Sequence, residues 1–420
     1  MTTDTRVLEA PDWDRWFATL ERAFGGAVAN SSEERESSRA VTEYERSVGV
    51  WEGDACVGTA SAFSFGLTVP GGARVPAAGV TMVSVAATHR RRGILTSMMR
   101  RQLDDVRSWG EPVALLTASE PDIYGRFGYG AATRQLSAEI DTSRVSFRVP
   151  ANTDGTEGPD GIRLRYAALD DARASIESVY ARLVPSRPGM LERRPGWENK
   201  LLVDPPEARD GASAFQCVLA RRGEGEGAET VGYALFRVKP TWDEAGPKGT
   251  VVVNKVLAVD PVAYATLWRF LGDIDLTSTV SVSNLPVDDP FQFFVSDVRR
   301  SNLRVRDSLY VRLVEVGAAL AARTYQTPVD MVLEVEDAFC PWNEGRWRLT
   351  GDEKGASCER TADTADLSLS VRELGSMYLG DTSAAALAGA GRVRESRPGA
   401  LTEASVAFGS PVAPWLPHGF

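Results

Sequence analysis

The spacing of apolar residues over the first 140 positions alternates between helical and extended periods. Apolar residues three and four apart predict helices over 12–24 and 94–107, and the second helix carries Ile94, Met98 and Leu103 on one stripe. Runs rich in β-branched and apolar residues predict strands over 47–51, 55–65, 78–85, 113–117 and 133–140. The order of strand, basic loop, helix and strand predicts a right-handed crossover in a mixed sheet.

A polar stretch interrupts this pattern, which then restarts. Residues 150–161, PANTDGTEGPDG, have the composition of a linker. The elements predicted after it are a strand at 163–165, a helix over 170–183, strands over 215–220, 230–238 and 250–259, and a helix over 261–271. This second copy lacks the basic, glycine-bearing turn after its central strand, so we expect it not to hold a pyrophosphate. We predict a first domain over 1–150 and a degenerate repeat of it over 151–305.

The pattern changes again from about Arg306, where strands and helices indicate an α+β arrangement. The predicted strands are 308–316, 329–335, 346–350 and 366–371, and the predicted helices are 317–325, 371–378 and 400–408. The tail SPVAPWLPHGF contains three prolines, which exclude a helix, yet it is too apolar to remain in water. We therefore predict a third domain over 306–420 that ends in a packed tail.

Length, charge and residue usage limit the classes of function. A chain of 420 residues is long enough for two or three domains. Its net charge of -10 disfavours a nucleic-acid partner, whose phosphates require a basic surface, and favours a cationic one. Four cysteines without CxxC spacing and only two histidines argue against a metal centre. No apolar run is long enough to span a bilayer and the first residues do not resemble a signal peptide, so we expect a cytoplasmic protein.

The strongest chemical signal is the segment VSVAATHRRRGIL, residues 83–95. A predicted strand ends there, the chain turns at Gly93, and a helix begins at once, so free backbone N–H groups and the positive helix end face one point. The neighbouring Arg90, Arg91 and Arg92 carry donors suited to phosphate oxygens. The pattern is neither GxGxxG nor GxxxxGK[ST], which argues against a dinucleotide fold and a P-loop. An anion site and a solvated basic helix cap both fit these residues.

This segment resembles the acetyl-CoA motif of the GNAT acetyltransferases, R/Q-x-x-G-x-G/A. Arg90 and Gly93 match the motif, whereas Leu95 stands where the motif has glycine or alanine. In that superfamily the strand backbone also pairs with the pantetheine arm. The acetyl-CoA-binding residues that the resemblance implies all lie in this strand, loop and helix start: Val83, Val85, Arg90, Arg91, Arg92, Gly93 and Ile94.

The segment TASEPDIYGRFGYG, residues 117–130, extends the resemblance to the enhanced intracellular survival (Eis) family of acetyltransferases. Members of that family combine HRRRG with a TASE and IYGRFGYG segment. The likeness spans the whole chain and implies an α/β and α+β protein: two tandem GNAT-like domains, the second degenerate, and a sterol-carrier-protein-like domain. It also implies a homohexamer and acetyl transfer from acetyl-CoA to amines, often to several amines of one polyamine or aminoglycoside.

The same resemblance implies roles for individual residues. Tyr124 is the implied general acid that protonates the departing CoA thiolate, with Ser119 nearby as a cofactor contact. A phenol and a thiol differ by about 1.5 pKa units, so this proton transfer costs roughly 2 kcal/mol or less. The terminal carboxylate of Phe420 is the implied base for the incoming amine.

Each of these assignments has a competitor among neighbouring residues. Tyr129 lies in the same glycine-rich turn and could be the acid, or could only cover the sheet. Glu120 and Asp122 could be bases, but acidic residues at the start of a short helix are commonly capping residues. A tail that only packs on the third domain competes with a catalytic chain end.

The acceptor is the part of the function that the sequence defines least. Phe24 and Met82 are candidate walls of an acceptor pocket. The stretch FGGAVANSS, residues 24–32, lacks the acidic and aromatic groups that family members acting on aminoglycosides tend to have there. We predict an N-acetyltransferase for a cationic small amine. A lysine on a protein is the alternative acceptor, and a non-catalytic CoA- or lipid-binding sensor is the alternative of another class.

Overall fold

The computed structural model describes residues 3–26, 31–148, 161–223, 225 and 227–420. Up to residue 141 the elements are β1 (Asp4–Val7), α1 (Trp13–Ala23), α2 (Ser32–Ala40), β2 (Ser47–Glu52), β3 (Ala55–Thr68), β4 (Arg74–Val85), α3 (Ile94–Ser108), β5 (Val113–Thr117), α4 (Pro121–Tyr124), β6 (Gly130–Ala131) and β7 (Arg134–Asp141). The linker predicted at 150–161 lies outside the described residues except for its last residue.

Strands and helices continue to alternate through the rest of the chain. From residue 162 they are β8 (Ile162–Ala167), α5 (Leu169–Leu183), β9 (Leu191–Glu192), α6 (Trp197–Lys200), β10 (Gln216–Arg222), β11 (Glu229–Lys239), β12 (Trp242–Asp243), β13 (Gly246–Pro247), β14 (Gly249–Ala258), α7 (Pro261–Gly272), β15 (Thr277–Leu285), α8 (Phe291–Phe294) and β16 (Arg304–Asp307). From residue 309 they are β17 (Leu309–Leu313), α9 (Val316–Ala321), β18 (Val329–Glu336), β19 (Gly345–Asp352), β20 (Gly355–Arg360), β21 (Leu367–Ser370), α10 (Val371–Met377), α11 (Ala384–Gly389), β22 (Val393–Glu395) and α12 (Ala400–Ala407).

The long, strongly periodic elements match the predicted ones within a few residues, whereas short elements differ. The helix predicted over 317–325 begins at Val316 and ends at Ala321. The sequence pattern does not predict helix α2, because its sequence SEERESSRA has no apolar stripe. It is supported instead by its N-cap Ser31, which accepts a hydrogen bond from the N–H of Glu34 at 3.1 Å, and by contacts of Arg35 with α1.

The chain divides into two compact units, of which the first comprises Met1–Arg134, Arg187–Lys200 and Asp307–Phe420. One sheet of this unit has the strand order β1-β2-β3-β4-β5-β17-β6, with β9 paired to β3. Its β4 and β5 are parallel, as the predicted crossover requires. A second sheet has the order β20-β19-β18-β21-β22.

Helix α3 packs its predicted apolar stripe onto the first sheet. Ile94, Met98, Met99, Leu103 and Val106 are all buried there. Full burial of such a side chain contributes about 1.5–3 kcal/mol, so the stripe fixes where α3 begins relative to β4.

The second unit comprises Gln135–Ser186 and Leu201–Arg306. Its sheet has the order β16-β7-β15-β14-β11-β10-β8, and β14 and β15 are its parallel pair. Helix α7 follows β14 as α3 follows β4, which agrees with the predicted repeat of the first domain.

Strand pairing crosses both predicted domain limits. Strand β7, assigned from sequence to the first domain, pairs with β15 in the sheet of the second unit. Strand β17, assigned to the third domain, lies between β5 and β6 in the first sheet. An alternating strand buries one face in any sheet that offers a covered side, so its sequence pattern does not identify its partner.

Candidate active site

The loop between β4 and α3 leaves the helix start open. Arg91 and Gly93 have positive φ angles of 63° and 81°, and Gly93 is the N-cap residue of α3 without any side-chain capping bond. The first backbone bond within the helix runs from the N–H of Ser97 to the carbonyl of Gly93 at 3.0 Å. The N–H groups of the preceding turn therefore have no partner within the helix, and they carry its positive dipole end.

Strands β4 and β5 separate beside this helix start. Their parallel pairing covers only residues 77–79 against 113–115, while β4 continues to Val85. A bulge at Met82, with φ of 53°, places one extra residue in β4 relative to β3. The hydroxyl of Thr59 holds the bulge by donating to the carbonyl of Met82 at 2.7 Å. Bulges of this kind redirect side chains at functional sites.

A cavity of about 510 Å³ lies at this separation. It brings together nine of the residues predicted from sequence: Phe24, Val83, Val85, Arg90, Arg91, Gly93, Ile94, Ser119 and Tyr124. The wall also contains Glu120, which was considered only as a base or cap, and residues that were not predicted, among them His89, Ile123 and Arg126. Their proximity in sequence to Arg90 and Tyr124 was the signal that could have identified them.

Three predicted residues lie outside the wall of this cavity. The side chain of Met82 packs against the buried cluster beneath α1, because the bulge turns it to that side of the sheet. Arg92 is exposed between the two left-handed positions of the loop. Phe420 lies farther along the first sheet, against β3.

Phe24, one of the two residues predicted to line an acceptor pocket, lies at the rim of the cavity. Phe24 is at the C-cap of α1 and 42% exposed, so it belongs to the surface of the cavity rather than to the core. Residues 27–30 of the acceptor stretch lie outside the described residues.

The two candidate tyrosines differ sharply in surroundings. Tyr124 lines the cavity, and burial, followed by the charge of Glu120, raises the pKa of its phenol. Tyr129 is fully buried, its hydroxyl has no hydrogen-bond partner among the described residues, and burial raises its pKa much further. The centroids of the two rings are 6.1 Å apart. Only Tyr124 is therefore within reach of a molecule in the cavity.

The turn that carries Tyr124 is held by elements from the C-terminal part of the chain. An ideal Cβ on Gly125 would lie 2.9 Å from the guanidinium carbon of Arg372 in α10. Gly128, with φ of 85°, approaches Arg312 of β17, which is fully buried and paired with Asp337 at 2.7 Å. The left-handed φ of Gly128 and its approach to the buried Arg312 require glycine at that position, whereas the exposed guanidinium of Arg372 could move away from a side chain at position 125.

Glu120 occupies the N-cap position of α4 but makes no capping hydrogen bond. Its carboxylate is exposed in the cavity wall and forms no ion pair with any described residue. The capping role considered for it is therefore wrong. A free carboxylate at this point favours a cationic ligand.

The C-terminal tail packs against the first sheet. The ring of Phe420 lies 5.2 Å from the ring of Phe65 in β3, and an ideal Cβ on Gly79 would lie 3.1 Å from it. Gly79 is the last residue of β4 that pairs with β5, so Phe420 lies where the two strands begin to separate. Trp415 and Leu416 are buried. The alternative of a tail that packs only on the third domain is therefore wrong.

The corresponding helix start in the second unit is closed by its own side chain. Asp260 is the N-cap residue of α7, accepts a hydrogen bond from the N–H of Ala263 at 2.8 Å, and forms an ion pair with Arg222. A carboxylate thus lies where α3 offers free N–H groups. The N–H of Ala263 is therefore already occupied, which is unfavourable for an anion at the start of α7.

Metal-binding clusters and membrane-spanning helices are both absent from the residues that the structure describes. Among those residues, no group of three or more His, Cys, Asp or Glu side chains is arranged to hold a metal ion. Likewise, no helix in the described part of the chain is both long and apolar enough to cross a membrane.

Comparison with known proteins divides the chain into three matched regions. Residues 4–132 and 189–313 each match the family described as Acetyltransferase (GNAT) domain. Residues 316–417 match the family described as Sterol carrier protein domain. These matches confirm the predicted fold class.

Similar proteins match over nearly the full length. A protein of Streptomyces avermitilis described as an uncharacterized N-acetyltransferase is 66% identical over 420 residues, covering 100% of both chains. N-acetyltransferase Eis of Mycobacterium tuberculosis is 34% identical over 371 residues, which are 87% of this chain and 86% of that protein. The crystal structure of Eis1 from Mycobacterium abscessus covers 100% of both chains with a TM-score of 0.82 at 33% identity.

Proposed function

The chain belongs to the Eis family of GNAT-fold N-acetyltransferases, and from that premise we propose that it transfers the acetyl group of acetyl-CoA to a primary amine of a cationic small molecule. The observation that carries the proposal is a single cavity that joins an open helix start, three arginines and a reachable tyrosine. The acetyl thioester of bound acetyl-CoA would supply the reactive group.

The cofactor is proposed to bind along β4 and the start of α3. The open N–H groups of α3 and the guanidinium groups of Arg90 and Arg91 suit a pyrophosphate. The free edge of β4 at Val83 and Val85, beyond its pairing with β5, offers backbone groups to an extended amide chain. Ser119 also lies in the cavity wall. Arg92, which is outside the cavity wall, is proposed only to add long-range attraction.

Tyr124 is proposed to donate the proton that the leaving thiolate needs. Its raised pKa keeps the phenol protonated across the physiological range, so a donor is always present. Because the hydroxyl has no hydrogen-bond partner among the described residues, donating its proton breaks no existing bond in the protein. Tyr129 cannot fill this role without moving, because its hydroxyl is enclosed.

The carboxylate of Phe420 is proposed to accept the proton of the incoming amine. An ordinary terminal carboxyl titrates about six units below an alkylammonium, so direct transfer would be uphill by roughly 9 kcal/mol. A water relay, or transfer to a carboxylate that the aromatic surroundings deprive of solvent, would reduce this difference. The contact of the Phe420 ring with Phe65, at the separation of β4 and β5, supports this proposal.

A cationic small amine is the acceptor that the wall residues favour. The unpaired carboxylate of Glu120 attracts a cation, and the exposed ring of Phe24 can contact an ammonium group or its carbon chain. Polyamines and aminoglycosides carry such amines. A lysine on a protein remains the alternative acceptor, because the same two groups would also contact its ammonium end.

Release of free thiol from acetyl-CoA across a panel of amines tests the proposal. We expect turnover with polyamines or aminoglycosides that exceeds turnover with lysine peptides by at least tenfold in kcat/KM. Faster turnover with lysine peptides would make the protein acceptor the substrate. Stoichiometric acetyl-CoA binding without thiol release from any amine would favour a CoA-binding sensor.

The family resemblance also leads us to propose a homohexamer, which light scattering coupled to size-exclusion chromatography would test. A cytoplasmic location is proposed because all four cysteines are buried and free, as suits a reducing compartment. Fractionation of the producing cell would test it.

A further inference from the structure

A short segment from the middle of the sequence packs in the same unit as the first sheet and the tail. We refer to Arg187–Lys200 as the tail-holding segment. Its strand β9 pairs with Gly66 and Leu67 of β3. Its helix α6 begins with Trp197, whose ring contacts those of Phe63 and Phe65 at 5.0 and 5.2 Å. The segment is thereby fixed to the strand on which the ring of Phe420 lies.

The composition of the tail denies it a helix, so its backbone forms hydrogen bonds with other parts of the chain. Three prolines in its eleven residues lack N–H groups and exclude a helix. The tail-holding segment supplies two hydrogen bonds. Arg187 Nη1 donates to the carbonyl of Ala413 at 2.5 Å, and the N–H of Trp415 donates to the carbonyl of Pro188 at 2.8 Å.

Gly189 lets the tail backbone approach this segment closely. Its φ is +90°, and an ideal Cβ would lie 2.9 Å from the carbonyl oxygen and 3.0 Å from the nitrogen of Trp415. No side chain fits there without displacing the tail. Three residues farther along the tail, the His418 ring lies 5.9 Å from that of Trp197. The contacts thus run from the start of the tail almost to its end.

We propose that the tail-holding segment positions the terminal carboxylate of Phe420 for acetyl transfer, with Arg187, Gly189 and Trp197 as positioning residues. The inference rests on the proposed function, in which that carboxylate accepts a proton. Under this proposal the tail-holding segment, which lies in the middle of the sequence, contributes to acetyl transfer. The helix start of the second unit does not contribute, because Asp260 closes it.

Two glycine variants test the holding contact by hydrogen–deuterium exchange of the full chain. Gly189→Ala should raise exchange at the N–H of Trp415 and in the peptide that covers 412–420 by at least tenfold. Gly211→Ala is the matched control. Gly211 lies in the second unit, outside the tail-holding segment, and also has a left-handed φ, +78°, but no described atom lies within 4 Å of its ideal Cβ. Unchanged exchange in Gly189→Ala, or an equal rise in both variants, would overturn the proposal.

A kinetic cycle tests the consequence for catalysis. Gly189→Ala should lower kcat at least tenfold with KM for acetyl-CoA within twofold, while Gly211→Ala keeps both. In a chain that lacks Phe420, adding Gly189→Ala should change kcat by less than twofold, because the carboxylate it positions is already displaced. Losses that multiply would mean that Gly189 acts independently of the chain end, and the proposal would be wrong.

A third variant covers the possibility that Gly189→Ala unfolds the protein. Arg187→Gln removes the guanidinium that reaches Ala413 without straining the backbone, and the same tail-specific rise in exchange is expected. If the wild-type protein releases no thiol with any amine, the proposed function fails. The exchange measurements then still decide whether the segment holds the tail.

Discussion

Replacing Tyr124 with Phe separates chemistry from binding most directly. The substitution keeps the ring in the cavity wall and its contact with Tyr129 but removes the hydroxyl. No described residue is hydrogen bonded to that hydroxyl, so we expect a change in unfolding free energy of less than about 0.5 kcal/mol. Loss of a general acid typically lowers kcat by a factor of about 10² to 10⁴, which is about 3–5 kcal/mol of barrier.

The assay is steady-state thiol release with saturating amine, together with calorimetric binding of acetyl-CoA. The loss should appear in kcat, with acetyl-CoA affinity unchanged, because the missing proton matters only as the thiolate leaves. The pH profile gives a second signature. Burial raises the pKa of Tyr124, so its phenol loses the proton only above the ordinary tyrosine value of about 10. Deprotonation of Tyr124 should therefore not lower wild-type kcat below that pH.

Tyr129→Phe is the matched control. It removes a buried hydroxyl that has no partner among the described residues, so stability should stay equal or rise by up to about 1–3 kcal/mol. Its kcat should stay within a few-fold of wild type. Wild-type kcat in Tyr124→Phe would refute the reasoning, and a large loss confined to Tyr129→Phe would transfer the role to that residue.

Three further predictions concern the cofactor and the chain end. Arg90→Glu should weaken acetyl-CoA binding at least tenfold, and more at low salt. Arg92→Glu should weaken binding less, because Arg92 lies outside the cavity wall. If both variants bind acetyl-CoA as tightly as wild type, the loop is only a solvated helix cap. Calorimetry should find one acetyl-CoA per chain, because Asp260 closes the second helix start, and a stoichiometry of two would contradict this. Amidating the carboxylate of Phe420 should lower kcat at least tenfold with acetyl-CoA affinity intact, and wild-type kcat after amidation would exclude the carboxylate as a base.

The tight contacts around the turn of Tyr124 connect its position to the C-terminal part of the chain. Gly125 and Gly128 approach Arg372 and Arg312, and the buried pair of Arg312 with Asp337 is accessible to neither solvent nor substrate. Breaking such a pair leaves an uncompensated buried charge. The C-terminal part of the chain therefore supports the turn that carries Tyr124.

The sequence by itself determined the elements that depend on local spacing. The stripe of α3 and the start of that helix at Ile94 followed from apolar periodicity and from Gly93, and both agree with the structure. Arg90 was recognised because a helix start that receives an anion needs glycine and basic residues in consecutive positions, whereas Tyr124 was assigned through the family resemblance of its glycine-rich segment. Family membership followed from the same two segments and is confirmed by the relatives.

Only the tertiary structure decided which distant residues meet. In the structure Met82 packs against the cluster beneath α1, and Arg92 lies outside the cavity wall. The hydroxyl of Tyr129 is buried, and Glu120 makes no capping hydrogen bond. The tertiary structure also brought the tail-holding segment to the chain end, and β17 between β5 and β6. The physical reason is that strand partners and packing contacts depend on which surfaces the rest of the chain leaves available, and periodicity along one segment carries no record of that choice.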